Sequence, residues 1–350
     1  MKRHLFICAL LCLGTLGAGA EQNTVSCPQS VRDFADRTVC IPEKVERIVI
    51  TCYGGASQEI ALLMGGDKIV AQPGVGRFQA FVTVYPSMKD VPSVGSFSDV
   101  NIESLMKLHP SIVFAGVVSK KMNDRIEAAG FPTYTMGIGL HTIDSLLEEF
   151  IAVGKILHTE RKAQALVTYW RDTLQLIDER LQAIPPERRK RVYYANGNGK
   201  KMHGWKRSWT DEFIESAGGI NVAASMPLQG EVSSESLVVR NPDVIVSIRS
   251  GASKISAQTI RETAAFGQIN AVRYHRVYEG PVGTFWWDRP SPEAILGIIW
   301  LAKILYPSEM ADIDLERQTR YFFRTFYGHI LSDKDYKDFF RYEKEQKSID

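Results

Sequence analysis

Several things are scarce in this sequence, and each shortage removes a class of function. There is no G-x-S-x-G elbow, no H-E-x-x-H pair, no phosphate-loop spacing and no C-x-x-C, so the common hydrolase, zinc-protease, nucleotide and dithiol signatures are missing. Charge of one sign is not in excess. Setting aside Lys2 and Arg3, 40 of the 42 basic residues remain and face 40 acidic ones. That balance argues against nucleic acid or an anionic membrane as partner. Beyond the N-terminus no apolar run is long enough to span a bilayer, which takes about 20 residues, and no low-complexity tract occurs.

The N-terminus reads as an export signal. Lys2 and Arg3 precede an apolar run from Leu5 to Leu16, and Ala18-Gly19-Ala20 supplies small residues for a peptidase that cuts after Ala20. The expectation is a soluble periplasmic protein of about 330 residues, enough for two domains. Of five cysteines, Cys8 and Cys12 leave with the signal. Cys27 and Cys40 bracket a short polar segment, and an oxidising compartment favours a disulfide worth roughly 3 kcal/mol; two separate thiols are the alternative. Cys52 follows the apolar run "RIVIT" at a strand end, as a buried thiol or one facing a ligand.

What is present is a repeat. "ERIVITCYGG" (46–55) matches "KRVYYANGNG" (190–199), "QEIALLMGGDKIVA" (58–71) matches "DEFIESAGGINVA" (211–223), and "NIESLMKLHPSIVF" (101–114) matches "SSESLVVRNPDVIV" (233–246). Each half reads as strand–helix–strand with short apolar strands, which predicts a parallel sheet covered by helices. The intervening stretch is helical, with Thr159 to cap its second helix and Pro185-Pro186 to end it. From Glu160 to Ala183 it would run roughly 36 Å, long enough to join both lobes as a stiff rod. The predicted organisation is a signal over 1–20, an α/β lobe over 21–155, a linking helix over 156–184, a second α/β lobe over 185–310, and C-terminal helices over 311–350.

An exported chain of two Rossmann-like α/β lobes and one rigid helix resembles the class III periplasmic substrate-binding proteins. The resemblance rests on "DRTVCIPEKVERIVI", "VGSFSDVNIESLMKLHPSIVF", "VSSESLVVRNPDVIV" and "WDRPSPEAILGIIWLAKILYP" and covers nearly the whole mature chain. It implies a receptor that hands an iron–siderophore, haem, cobalamin or metal oxyanion to an ABC permease dimer with its cytoplasmic ATPase. It also implies that Glu103 and Glu235, one on each lobe, dock into the permease. The alternative for each is a first-turn Glu favoured by the helix dipole.

The loops that follow the strands supply the ligand candidates. These are Tyr53, Arg77 and Phe97 from the first lobe, and Asn196, His203, Trp205 and Arg249 from the second, with Trp286, Trp287 and Arg289 in front of the last apolar helix. Aromatics give flat area at small entropy cost, and Arg grips oxyanions with a rigid fork. The set suits a large anionic ligand, a ferric siderophore-like chelate first, with haem, cobalamin and molybdate or tungstate as alternatives. One of the two adjacent tryptophans is expected in the core. His203 is either solvent-exposed or, with Tyr53, a ligand to the metal of the transported complex; His109, His141, His158, His275 and His329 are assigned to helix ends and surface. No intrinsic cofactor is expected, and a secreted α/β enzyme is the rival class.

Overall fold

The computed structural model describes residues 27, 29–74, 78–197, 202–204, 208–225, 231–247 and 255–340. The segment expected to be an export signal, Arg77, Trp205 and Arg249 lie outside them.

The first lobe opens with a hairpin, β1 (Ser30–Arg32) and β2 (Thr38–Cys40), carrying the Cys27–Cys40 disulfide. There follow β3 (Ile48–Ile50), α1 (Ala56–Met64), β4 (Ile69–Ala71) and α2 (Gln79–Val84). A small hairpin, β5 (Gly95–Ser96) and β6 (Asp99–Val100), leads into α3 (Ile102–Leu108). The lobe continues through β7 (Ile112–Gly116), α4 (Lys120–Ala128), β8 (Thr133–Met136) and α5 (Ile143–Ile156). Its parallel sheet has the order β4-β3-β7-β8. Every residue of β3, β7 and β8 is buried, which explains why β3 and β7 read as continuous apolar runs.

The linking element is α6 (Glu160–Leu181). It is shorter than the expected 156–184, because Leu157 to Thr159 turn the chain out of α5 before α6 begins. Ala163, Leu166, Trp170, Ile177 and Leu181 are buried along one face, the stripe that the 3.6-residue period predicts.

The second lobe runs β9 (Arg191–Gly197), β10 (Met202–Gly204), α7 (Ser208–Ser216), β11 (Ile220–Asn221), β12 (Glu231–Val232), α8 (Ser234–Arg240) and β13 (Val244–Ser247). It closes with α9 (Ala257–Glu262), α10 (Asn270–Arg273), β14 (Val277–Glu279) and α11 (Ala294–Leu305). The parallel strands β11, β9, β13 and β14 lie side by side, the same order as β4-β3-β7-β8. The repeat is therefore structural. Its helices α3 and α8 also agree in detail: Asn101 and Ser233 each accept from the backbone N–H three residues on, Ser104 and Ser236. His109 and Asn241 end them at φ 44° and 40°, the left-handed C-cap that Asn tolerates and His adopts less often.

The described residues end with α12 (Leu315–Phe322), a π turn over Phe323–Tyr327, Gly328 at φ 67°, and α13 (Asp333–Asp338) started by a Ser332/Asp335 capping box. These segments straddle both lobes. Tyr327 packs on Tyr85 at the end of α2, while Phe339 accepts a backbone bond from Val282 and packs on Trp287.

Candidate functional site

The cleft is built at the C-terminal edges of the two sheets, where parallel α/β folds bind ligands. On the first-lobe side, Cys52 and Tyr53 leave β3. Cys52 is buried, with Sγ 3.8 Å from the Phe114 carbonyl oxygen, and burial, then the charges of Glu149 and Glu59, push its thiol up. Such a thiol is not a nucleophile at neutral pH. Tyr53 is exposed, its ring 5.9 Å from that of Phe97. Phe97 sits at φ 52° and its N–H reaches the Thr51 carbonyl at 2.6 Å. Its ring lies over Gly116, where a Cβ would stand 3.0 Å from Phe97 and 3.1 Å from Cys52. Glycine at the end of β7 is what lets that ring approach the sheet edge so closely.

On the second-lobe side the loop between β14 and α11 carries the aromatic cluster. Trp286 is half-buried, 5.0 Å from Phe285, and the Arg289 guanidinium lies 5.0 Å from its ring centre, within reach of a cation–π attraction. Arg289 Nε is also 3.8 Å from Asp288. The Asp288 carboxyl is held above its ordinary range by burial, with Arg289 pulling the other way. Three elements fix this loop. Trp170 of α6 donates to the Pro292 carbonyl at 3.1 Å, Trp209 of α7 to that of Asp288 at 3.0 Å, and Gln58 of α1 to that of Thr284 at 3.0 Å.

Trp287 departs from its assignment as a cleft residue. It is fully buried against Phe339 and Phe340, and its indole N–H donates to Glu293 at 2.8 Å. Trp286 is thus the member of the pair at the cleft. The reason is Glu293, which stands at the N-cap of α11. In the fold it has no solvent exposure and accepts from Trp287, from the Thr284 N–H (3.1 Å) and hydroxyl, and from the Tyr327 hydroxyl (2.8 Å). Burial lifts its carboxyl to about 7, against these hydrogen bonds. Gly297, one turn into α11, permits the approach, because a Cβ there would collide with the Trp287 carbonyl.

The strands β9 and β10 set Asn196 opposite His203 in antiparallel register; their side chains lie outside the described residues. Glu103 and Glu235 are both exposed on the first turns of α3 and α8. Hydrogen bonds to its own backbone N–H and to Ser233 hold the Glu235 carboxyl below its usual range. Among the five histidines assigned to helix ends and surface, His141 is the exception: it is buried, Nε2 2.9 Å from Glu149. Among the described residues no group of three or more His, Cys, Asp or Glu is arranged to hold a metal ion.

Two α/β lobes of matching topology joined by one connecting helix have the plan of a solute receptor of the bilobal, rigid-helix kind. The chain belongs to the periplasmic binding protein family, whose pattern it matches over residues 49–282, in the class III form that serves ABC importers. It is 26% identical to the molybdate-binding protein MolA of Haemophilus influenzae over 85% of this chain and 90% of that one. It is 27% identical to a cobalamin-binding protein of Halobacterium salinarum over 71% of this chain and 68% of that one. A solved periplasmic solute binding protein from Veillonella parvula aligns with a TM-score of 0.77 at 24% identity, covering 90% of this chain and 97% of its own.

Proposed function

We propose that this protein captures an anionic metal species in the interlobe cleft and delivers it to an ABC permease dimer, after export by a cleavable signal peptide. The carrying observation is Arg289, a partly exposed cation held over Trp286 at the cleft and set by a loop that three other elements anchor. Tyr53 and Phe97 offer an aromatic surface on the opposite lobe. A ferric siderophore-like chelate, flat-faced and negatively charged, uses both kinds of contact.

A second reading has one specific observation in its favour. Phe78 and Trp286 already touch across the lobes, which shortens the cleft and suits a compact oxyanion such as molybdate, the ligand named for the Haemophilus relative. Haem and cobalamin need a longer opening. Native mass spectrometry of protein taken from its own periplasm separates these by ligand mass. A visible absorbance scan adds a Soret band for haem or charge-transfer bands for a ferric chelate. Recovery of a neutral sugar or amino acid as the stoichiometric ligand would overturn the proposal.

A further inference from the structure

The edge of the second lobe opposite the cleft contains a cavity of ≈ 670 Å³, lined by side chains from the end of α6, the start of β9, the start of β14 and the end of α11. That volume falls in the range of small-molecule sites. Five basic side chains and one acidic one, Glu309, line it. In a chain whose mature charges balance, this is a local concentration of one sign, and overall basicity does not account for it.

Two of the five cations are already committed. Arg180 pairs with Asp312 at 2.9 Å, and the Lys303 ammonium caps the Met310 and Ile313 carbonyls. Arg188, Lys190 and Arg276 make no side-chain hydrogen bond or ion pair among the described residues, yet each stands on a fixed backbone. Arg188 lies in the turn begun by Pro185-Pro186, its N–H on the Pro185 carbonyl at 2.9 Å. The Lys190 N–H donates to the buried Tyr306 hydroxyl at 2.9 Å. The Arg276 N–H reaches the Ala271 carbonyl at 2.7 Å, just after His275 at φ 56°. Like charges held together repel, and a ligand carrying several negative charges relieves that repulsion without reorganising the frame. Half-buried Tyr278 and Ile184 add apolar surface for a carbon skeleton.

We infer that this cavity is a second binding site, distinct from the cleft, for a small organic polyanion bearing two or more carboxylate or phosphate groups. It lies across the length of β9 from the cleft, about 20 Å at 3.3 Å per residue, so both sites can be filled at once.

Isothermal titration with citrate and with pyrophosphate as probes, at fixed ionic strength and with acetate as the single-charge control, tests this. The expected result is saturable one-to-one binding of at least one polyanion. Arg188→Gln/Arg276→Gln should weaken it at least tenfold while leaving the melting temperature unchanged, and Arg289→Ala should retain it. The inference is overturned if neither polyanion binds saturably, if acetate binds as well as they do, or if the Gln pair binds like the wild type. Loss of binding in Arg289→Ala alone would place the anion in the cleft and overturn it too. If the Gln pair unfolds, Lys190→Gln in its place must show the loss.

Discussion

The ring of Phe78 meets that of Trp286 edge-on, their centres 4.7 Å apart, and so joins a first-lobe side chain to the loop that bears Arg289. An edge-to-face pair of this kind adds about 0.5–1.5 kcal/mol beyond its buried area. With the Gln58 bond to Thr284, it stitches the lobes together at one end of the cleft. On the proposed reading, a ligand in the cleft would meet an aromatic wall already in place.

Arg289→Ala should weaken binding of the physiological ligand about tenfold to a hundredfold, the equivalent of a charge-assisted bond worth roughly 1.5–3 kcal/mol. Equilibrium dialysis gives the affinity, and quenching of Trp286 fluorescence reports ligand arriving at the same loop. Normal affinity with a lowered melting temperature would make Arg289 a structural residue.

Reversing Glu103 and Glu235 together to Lys should abolish uptake in cells and leave affinity in solution unchanged. Both carboxylates are exposed at equivalent positions of the repeat, so the swap costs little stability. Uptake assays beside a binding titration decide it. Surviving transport would remove these residues from the permease contact.

The Glu293 carboxyl should make stability depend on pH with a definite sign. Its folded value of about 7 lies above the ordinary 4.5, so the folded state holds the proton longer. That stabilisation is complete below about pH 4.5 and is lost as pH rises through 7, amounting to roughly 3 kcal/mol. Glu59, raised by burial and the charge of Glu149, contributes with the same sign, so the informative quantity is a difference. Urea midpoints from pH 5 to 8 should fall less steeply in Glu293→Gln than in the wild type; parallel slopes would refute the assignment.

Ligand binding should change the radius of gyration hardly at all. The lobes are joined by α6, by the Phe78–Trp286 contact and by the C-terminal segments, with no pair of strand hinges between them among the described residues. Solution scattering with and without ligand tests it, and a large contraction would count against a preset cleft.

Local pattern carried most of the architecture. The repeat and the stop at Pro185 are short-range signals, and each recurs in the fold. The cleft was legible only as a list of loops. Nothing in "FWWDRPSPE" distinguishes Trp286 from Trp287, because the choice is made by Glu293 together with Tyr327, 34 residues further on. His141 escaped for the same reason: its carboxylate partner Glu149 is eight residues away on a helix that reads as amphipathic. Tertiary burial turns both acids from surface charges into internal acceptors, and composition does not record that.

The placement of residues 282–340 governs the order in which the molecule can be finished. Gln58 waits for Thr284, 226 positions later; Tyr85 waits for Tyr327, and Val282 for Phe339. A chain emerging N-terminus first can assemble β3, β4, β7 and β8 early, but the face of α1 and α2 that meets the second lobe stays uncovered until almost all of the polypeptide has appeared. Such distant closures are slow to find. Until then Phe78 and Tyr85 lack the Trp286 and Tyr327 rings against which they pack in the finished fold.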